Sequence, residues 1–375
     1  MPRLRPHDFR KKLYLWSEDH PRELPWVGEK DPYKIWVSEV ILQQTRAAQA
    51  IPYYLRFLAR FPDLISLASA PLEDLLRVWE GLGYYSRARN MHRTARLISE
   101  NLGGAFPDTF DRLSKLPGIG PYTAAAISSF AFGCPHAVVD GNVNRVLSRI
   151  FGIDSPVDRP VGKKLIAQIA SDLLDRKAPD RFNQAIMNFG ATHCLHSSPL
   201  CPSCPFRSDC IAYALGKTSS FPVKSLKKPV KDRFLHYFLV LDEDGNLPIR
   251  QRDDGGIWKH LFEPPGTETE DDRELAFKEI QTLLNSGRIR GTGFKFVEQQ
   301  LLSHRLTHLQ LRIRFYLILC SGKLSLLNNP GHILVNMKNL RNFAFPKIIR
   351  LYLDQIKETI HAEQSDADRK SGKRP

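Results

Sequence analysis

The sequence predicts a mainly α N-terminal domain joined by a short linker to a smaller α+β domain. Three observations predict it. Residues 8 to about 215 carry apolar side chains at three-to-four spacing, segment after segment, with Pro or Gly at most joints. From Gly216 to Lys231 the run GKTSSFPVKSLKKPVK is polar, basic and proline-bearing, as a linker is. Beyond it the apolar period switches to two. A chain of 375 residues is long enough for two such domains. The expected boundaries are 1–216, 217–231 for the linker and 232–358, with the polar run 359–375 read as a disordered tail.

The helical segments follow in order. IWVSEVILQQTRAAQAIPYYLRFLARF, LEDLLRVWEGLG, SRARNMHRTARLISENLG, DRLSKL, YTAAAISSFAFG, NVNRVLSRIFG, GKKLIAQIASDLL and FNQAIMNFGATH are each read as a helix. In the second domain FLHYFLVL and LPIRQR flank the turn residues Asp244 and Gly245. Leu309 to Leu319 alternates strictly, as a half-buried strand does. DDRELAFKEIQTLL and PKIIRLYLDQI are expected as helices packed on the sheet.

Lys and Arg number 54 against 40 Asp and Glu, a net charge of +14. That excess favours a polyanionic partner, of which nucleic acid is the commonest. The basic N-terminus MPRLRPHDFRKK has no apolar run behind it, so no secretory signal is expected, and no apolar stretch is long enough to span a membrane. A cytoplasmic monomer, working at the nucleoid, is the expectation. In a reducing compartment the six cysteines are not read as disulfides. Cys134 and Cys320 stand apart and are expected to be buried apolar thiols.

The other four, Cys194, Cys201, Cys204 and Cys210, crowd into 17 residues interrupted by Pro199, Pro202 and Pro205. Four thiolates in one loop need a cation, and zinc or an iron–sulfur cluster would supply it. Only one Cys-x2-Cys knuckle is present, which favours a cubane over a zinc ribbon. His193 and His196 flank the first ligand and are read as loop surface. Upstream, LPGIGPYTAAAI places Gly118 and Gly120 in a tight bend before a helix. Such a bend presents amide N–H groups to an anion and can grip a DNA phosphate without reading sequence. About 20 residues on, VDGNVNRVL sets Asp140 at the mouth of the next helix. There it can cap Val143 or its neighbour, and also face a reacting centre as an amide-bonded, ionised carboxylate. Glu39, in WVSEVILQQT, has Ile35 and Leu42 on its own helix face. An apolar site of that kind raises a carboxyl pKa.

These motifs, with GLGYYSRARN, resemble the endonuclease III family of helix-hairpin-helix DNA glycosylases, and within it the MutY branch, over roughly residues 8 to 357. The resemblance implies a helical glycosylase domain with a [4Fe–4S] loop on the four cysteines, and a Nudix-like (MutT-like) C-terminal domain. It implies excision of adenine opposite 8-oxoguanine, and opposite guanine, from double-stranded DNA. Carried over by position, Glu39 is the general acid and later activates water, Asp140 stabilises the sugar cation, and Tyr122 and Asn142 assist around them. Tyr122 stands where the strand-cleaving branch has a Schiff-base lysine, which implies a monofunctional enzyme. Arg22, Trp26 and Gln184 would line an adenine pocket. Gln44, Thr45, Leu82, Tyr84 and Arg87 would meet the opposite base and strand, with Tyr84 as a wedge. Arg207 is a candidate phosphate contact. SHRLTHLQLRI resembles the lesion-reading loop, with Thr307 and His308 as its polar readers and Leu306 in place of an aromatic. A working Nudix box is absent: six residues after Gly266 comes Asp272, with no later Arg-Glu-x2-Glu-Glu. Two alternatives stay open: an endonuclease III-like glycosylase for oxidised pyrimidines, and an iron–sulfur DNA-binding protein with no catalysis.

Overall fold

The computed structural model describes residues 4–226, 229–253, 256–327 and 331–356, so the tail expected at 359–375 lies outside the described residues. The chain forms two compact units. The first comprises residues up to Ala70 together with Arg89–Lys227; the second takes Pro71–Ala88 together with the chain after the linker.

Among the described residues up to Ala214 the α-helices are α1 (Pro6–Asp19), α2 (Pro32–Leu42), α3 (Ala47–Arg60), α4 (Leu64–Ser69), α5 (Leu72–Val78), α6 (Ser86–Asn101), α7 (Phe110–Leu113), α8 (Pro121–Phe132), α9 (Gly141–Phe151), α10 (Pro160–Leu173), α11 (Pro179–Thr192) and α12 (Ile211–Ala214). Proline stands in the first turn of α1, α2, α8, α10 and α11, where its fixed φ suits a helix start and its missing N–H is not needed. Phe9, Leu13 and Trp16 of α1 bury against Val146, Leu147 and Ile150 of α9 and Phe182, Ile186 and Phe189 of α11. Phe206, in the cysteine loop, enters the same core, so the loop is anchored by an aromatic side chain as well as by its thiols.

Two expectations fail here. The 35–61 run is two helices rather than one, broken where Gln44 takes φ +60°. DRLSKL yields only the single turn α7, because the chain must bend back at Gly118 within a few residues.

In the second unit the strands are β1 (Lys231–Leu241), β2 (Asn246–Gln251), β3 (Phe262–Glu263), β4 (Gly266–Thr269), β5 (Ile289–Arg290), β6 (Lys295–Arg305), β7 (Leu309–Leu319), β8 (Ser325–Leu326) and β9 (His332–Asn336). The main sheet runs β4-β1-β7-β6, with β1 and β7 parallel; β3-β2-β9 and β5-β8 form smaller sheets. Period-two geometry sends Leu235, Tyr237, Leu239 and Leu241 of β1 to one face. There they meet Ile349, Tyr352 and Leu353 from the helical stretch α14 at 347–356. Phe238 and Val240 point the other way, toward Ile280 and Leu284 of α13 (Phe277–Ser286).

Helices on both faces correct the reading of Leu309–Leu319 as half-buried: its first half alternates, but Phe315 to Ile318 are buried on both sides. The helix expected from DDREL onward begins only at Phe277. Asp272 and Glu274 instead spend their carboxylates on Arg312 and Arg314 of β7. Cys320 is buried as expected, but Cys134 is partly exposed in the loop after α8, where proximity to the chain surface outweighs its apolar character.

Candidate active site

Glu39 lies in the last turns of α2, a helix whose Ile35, Trp36, Val37, Val40 and Ile41 are all buried. Its carboxyl goes in with them and is 4% exposed. Burial pushes its pKa up to about 7; the hydrogen bond from Tyr122 pulls the other way, and the nearby Asp140 charge adds to the rise. Tyr122 sits in the first turn of α8 and donates its hydroxyl to Glu39 Oε2. Burial holds the phenol well above its ordinary pKa, so it stays a neutral donor.

Asp140 is the N-cap of α9. Its Oδ1 accepts from Val143 N at 2.7 Å and its Oδ2 from Asn142 Nδ2 at 2.7 Å. The cap expected at this position is formed. Burial is the largest influence on its pKa and raises it, with the Val143 and Asn142 bonds opposing the rise.

Behind Asp140 the polar contacts continue. Asn142 Oδ1 accepts from Arg145 Nη2 at 2.9 Å, and Arg145 Nε donates to Cys194 O at 2.8 Å. The close packing this needs is supplied by Gly190 on α11, where a Cβ would stand 2.6 Å from Asn142 Cβ. One turn on, the buried Arg149 donates to Leu195 O at 2.6 Å and His196 O at 2.9 Å, and its Nη1 lies 3.4 Å from Cys194 Sγ. Helix α9 therefore carries the carboxylate at one end and holds the start of the cysteine loop with two arginines. Sequence reading missed Arg145, Arg149 and Gly190. The only sequence signal for Arg145 is its place three residues after Asn142, on the same helix face.

Cys194, Cys201, Cys204 and Cys210 line one cavity. Burial and neighbouring thiols disfavour ionisation of Cys201, Cys204 and Cys210, and Cys204 is pushed up to about 12. Among the described residues no group of three or more Cys, His, Asp or Glu converges tightly enough for a single metal ion. His196 is exposed as expected, but His193 is not loop surface. It is buried, stacks on Phe189, and its Nδ1 accepts from Trp16 Nε1 at 3.3 Å, because the end of α11 turns it into the core with α1.

The hairpin bend is built on Gly118 at φ +76°, where a Cβ would stand 2.6 Å from Asn90 Cβ. Thr94 Oγ1 ties down the Pro117 carbonyl at 2.7 Å. Gly120 is the N-cap of α8, which has no side-chain cap. Arg22 and Gln184 are half-buried, the latter donating to Asn188 Oδ1 at 2.9 Å; Trp26 packs edge-on against Tyr54. Gln44 is exposed and Thr45 half-buried, in the break between α2 and α3. Arg207 lies over the Tyr213 ring.

In the second unit the turn at 81–84 is tight, with Gly81, Gly83 and Tyr84 all at positive φ. Leu82 is buried beneath it and Tyr84 stands 46% exposed. Arg87 holds the turn, donating to Leu82 O and Gly83 O at 3.2 Å each while its guanidinium packs over the Trp79 and Tyr84 rings. The Tyr84 and Thr307 hydroxyls hydrogen-bond to each other. Thr307 and His308 are both exposed in the β6–β7 turn, while Leu306 packs against the core below.

Two family models match the chain. Residues 37–169 match the family described as HhH-GPD superfamily base excision DNA repair protein, and residues 236–355 match the NUDIX domain. An adenine DNA glycosylase of Buchnera aphidicola subsp. Baizongia pistaciae is 34% identical over 351 residues, spanning 93% of this chain and 97% of the relative. The adenine DNA glycosylase of Homo sapiens is 33% identical over 371 residues, spanning 84% of this chain and 67% of the relative. Among solved structures, a thermostable thymine-DNA glycosylase superposes with a TM-score of 0.52 at 27% identity, over 56% of this chain and 97% of its own. No helix among the described residues is long and apolar enough to cross a membrane.

Proposed function

The chain belongs to the adenine DNA glycosylases of base excision repair, and on that premise we propose that it is monofunctional, hydrolysing the N-glycosyl bond of adenine paired with 8-oxoguanine or guanine. The observation that carries the mechanism is the Glu39–Tyr122–Asp140 constellation: a buried carboxyl with a pKa near 7 beside a second buried carboxylate.

Adenine leaves poorly as an anion and readily once N7 is protonated. Glu39 supplies that proton to the flipped base, and Tyr122 keeps its carboxyl in one orientation. As the bond breaks, positive charge develops on the sugar, and Asp140, held by Val143 N and Asn142, faces it. Glu39, now ionised, takes a proton from the attacking water, which restores the acid. A phenol offers no amine for a Schiff base, so Tyr122 supports hydrolysis without strand cleavage. Arg22, Trp26 and Gln184 are assigned to the adenine pocket. Gln44, Thr45, Leu82, Tyr84 and Arg87 are assigned to the opposite base and strand, Gly118 and Gly120 to a phosphate, and Thr307 and His308 to the oxidised base.

The four cysteines fit a [4Fe–4S] cluster. They share one cavity, and Arg149 lies beside Cys194 to offset thiolate charge. When bound, the cluster would hold the loop that Arg145 and Arg149 join to α9. Protein purified without oxygen should be yellow-brown with about four irons; stoichiometric zinc without iron would refute the assignment.

The function is tested by incubating the protein with A:8-oxoguanine, A:G and A:C duplexes, cleaving with alkali, and trapping with borohydride in parallel. Alkali-dependent scission of the first two with no borohydride adduct is expected. No scission would leave a DNA-binding protein without catalysis, and efficient trapping would sink the monofunctional reading.

A further inference from the structure

We infer that Asn183 is a positioning residue for the reaction: it fixes the strap that delivers Asp140 to the site. This rests on the role given to Asp140 above. Between α8 and α9 the chain crosses residues 133–139 with no helix or strand of its own. Extended backbone of that kind keeps a defined place only if its polar groups find partners. Here one side chain supplies them. Asn183, on α11 and 0% exposed, accepts from Val138 N at 3.0 Å through Oδ1 and donates to His136 O at 2.9 Å through Nδ2. The second proton of Nδ2 goes to Ser129 Oγ at 2.9 Å, on α8, the helix that carries Tyr122.

The pattern is one acceptor and two donors in a plane, with the Val138 and Ser129 bonds buried and the His136 bond partly so. Only a carboxamide provides it. A carboxylate lacks the donors, and an aliphatic side chain would leave the buried Val138 N–H and Ser129 hydroxyl without this partner. The strap has a second fixing point: the His136 ring stacks on Phe110 of α7 at 4.8 Å between centroids. Val138 itself is buried against Ala125 and Ala126. Asp140 follows Val138 by two residues, less than about 7 Å of extended chain, so slack at Val138 passes directly to the carboxylate. A reacting constellation must be held within roughly 0.5 Å of its productive geometry. The amide therefore joins three parts of the reaction: the helix bearing Tyr122, the hairpin through His136 and Phe110, and Asp140.

The test compares Asn183→Ala with Ser129→Ala, which breaks the α8 bond of the same amide and leaves both strap bonds. Single-turnover adenine release, affinity for a duplex carrying a non-cleavable adenosine analogue, and melting temperature are measured for each. Asn183→Ala should slow release tenfold or more with affinity changed by less than about threefold, while Ser129→Ala loses a few degrees of melting temperature and keeps its rate. His136→Ala, which removes the stacked ring and leaves the amide in place, should fall between them; it keeps the question answerable if Asn183→Ala does not fold. In an Asp140→Asn background, Asn183→Ala should cost little further rate, because a residue that acts through Asp140 has nothing left to position. Rate losses that follow melting temperature across all three variants, or a full loss repeated in the Asp140→Asn background, would overturn the inference. Wild-type activity in Asp140→Asn alone would instead overturn the role of Asp140 itself.

Discussion

Two glutamates, one in each unit, are almost fully withdrawn from water: Glu39 is 4% exposed and Glu263 1%. Each accepts a hydrogen bond from a tyrosine, the half-buried Tyr122 for one and the buried Tyr237 for the other. Beyond that shared contact they diverge. Glu263 also accepts from Arg250 at 2.8 and 3.0 Å and from Arg252 at 2.6 Å, so its charge is answered twice over. The influences on Glu39 are burial, a phenol and a second carboxylate; no cation is among them. Arginines on a buried carboxylate tie strands together. A buried carboxyl whose influences are burial and a second carboxylate is pushed toward the neutral acid and keeps a proton to give. The same residue type at similar depth thus meets two arginines in β3 and a phenol in α2, the setting that the proposed acid role needs.

The largest test of that contrast is removal of each charge. Glu39→Gln keeps the shape and loses the proton, so single-turnover excision should fall by about 10²–10⁴ or more while duplex binding stays within a few-fold. Glu263→Gln should do the reverse, costing about 1–3 kcal/mol of stability with near-normal turnover per folded molecule, because it removes the charge that Arg250 and Arg252 meet there. Excision by Glu39→Gln at the wild-type rate would remove it from the mechanism.

Asp140→Asn comes next. It keeps an acceptor for Val143 N and removes the charge opposite the developing cation, for an expected rate loss of about 10²–10³. Retained duplex affinity would locate the loss in the chemical step, whereas an equal loss of binding would point to the α9 cap instead.

How much of this was legible in the sequence follows from how local each signal is. The helix and strand periods, the Gly118 bend and the apolar flanks of Glu39 all lie within a few residues of what they specify, and they were readable. Asn183 and Arg145 act on partners some 45 to 49 residues away, at Val138 and Cys194, and nothing beside them in the sequence announces it. The same holds for the arginines that distinguish Glu263 from Glu39: Arg250 and Arg252 meet it only because β2 pairs with β3. The break at Gln44 hid inside an unbroken apolar pattern, since one residue at positive φ leaves no mark on periodicity.

A smaller effect lies in pH. The pKa of Glu39 is raised from 4.5 to about 7 by burial. A group raised on folding contributes its full stability below the unfolded value and loses it as pH climbs through the folded one. Stability should therefore decline between about pH 4.5 and 7, by at most about 3 kcal/mol from this residue. Excision should fall as pH rises through about 7, where the acid form is depleted. In Glu39→Gln the stability decline should flatten in that window, while Glu263→Gln should leave it in place. Identical melting-temperature profiles for wild type and Glu39→Gln would show that Glu39 does not titrate there.

The smallest expected effect concerns the second unit, where Thr307 and His308 stand exposed in the β6–β7 turn and Thr307 bonds the Tyr84 hydroxyl. Leu306 turns into the core, so any reading of a base falls to the polar pair rather than to stacking at that position. If they bond the oxidised edge of 8-oxoguanine, Thr307→Ala with His308→Ala should cost about 1–3 kcal/mol per lost bond on an A:8-oxoguanine duplex and little on A:G, where that edge is absent. The Tyr84 contact allows a second route, in which Thr307 acts by holding the exposed tyrosine ring. Tyr84→Phe separates the two, because it keeps the ring and removes only the hydroxyl that meets Thr307. Single-turnover rates and affinities on both duplexes decide the matter. A loss confined to the oxidised duplex in the double variant, with Tyr84→Phe near wild type, supports direct reading. Matching losses in Tyr84→Phe and Thr307→Ala assign the hydroxyl pair to positioning the tyrosine. Equal losses on A:8-oxoguanine and A:G would mean that the turn only holds its own unit together, leaving it as structural as Glu263.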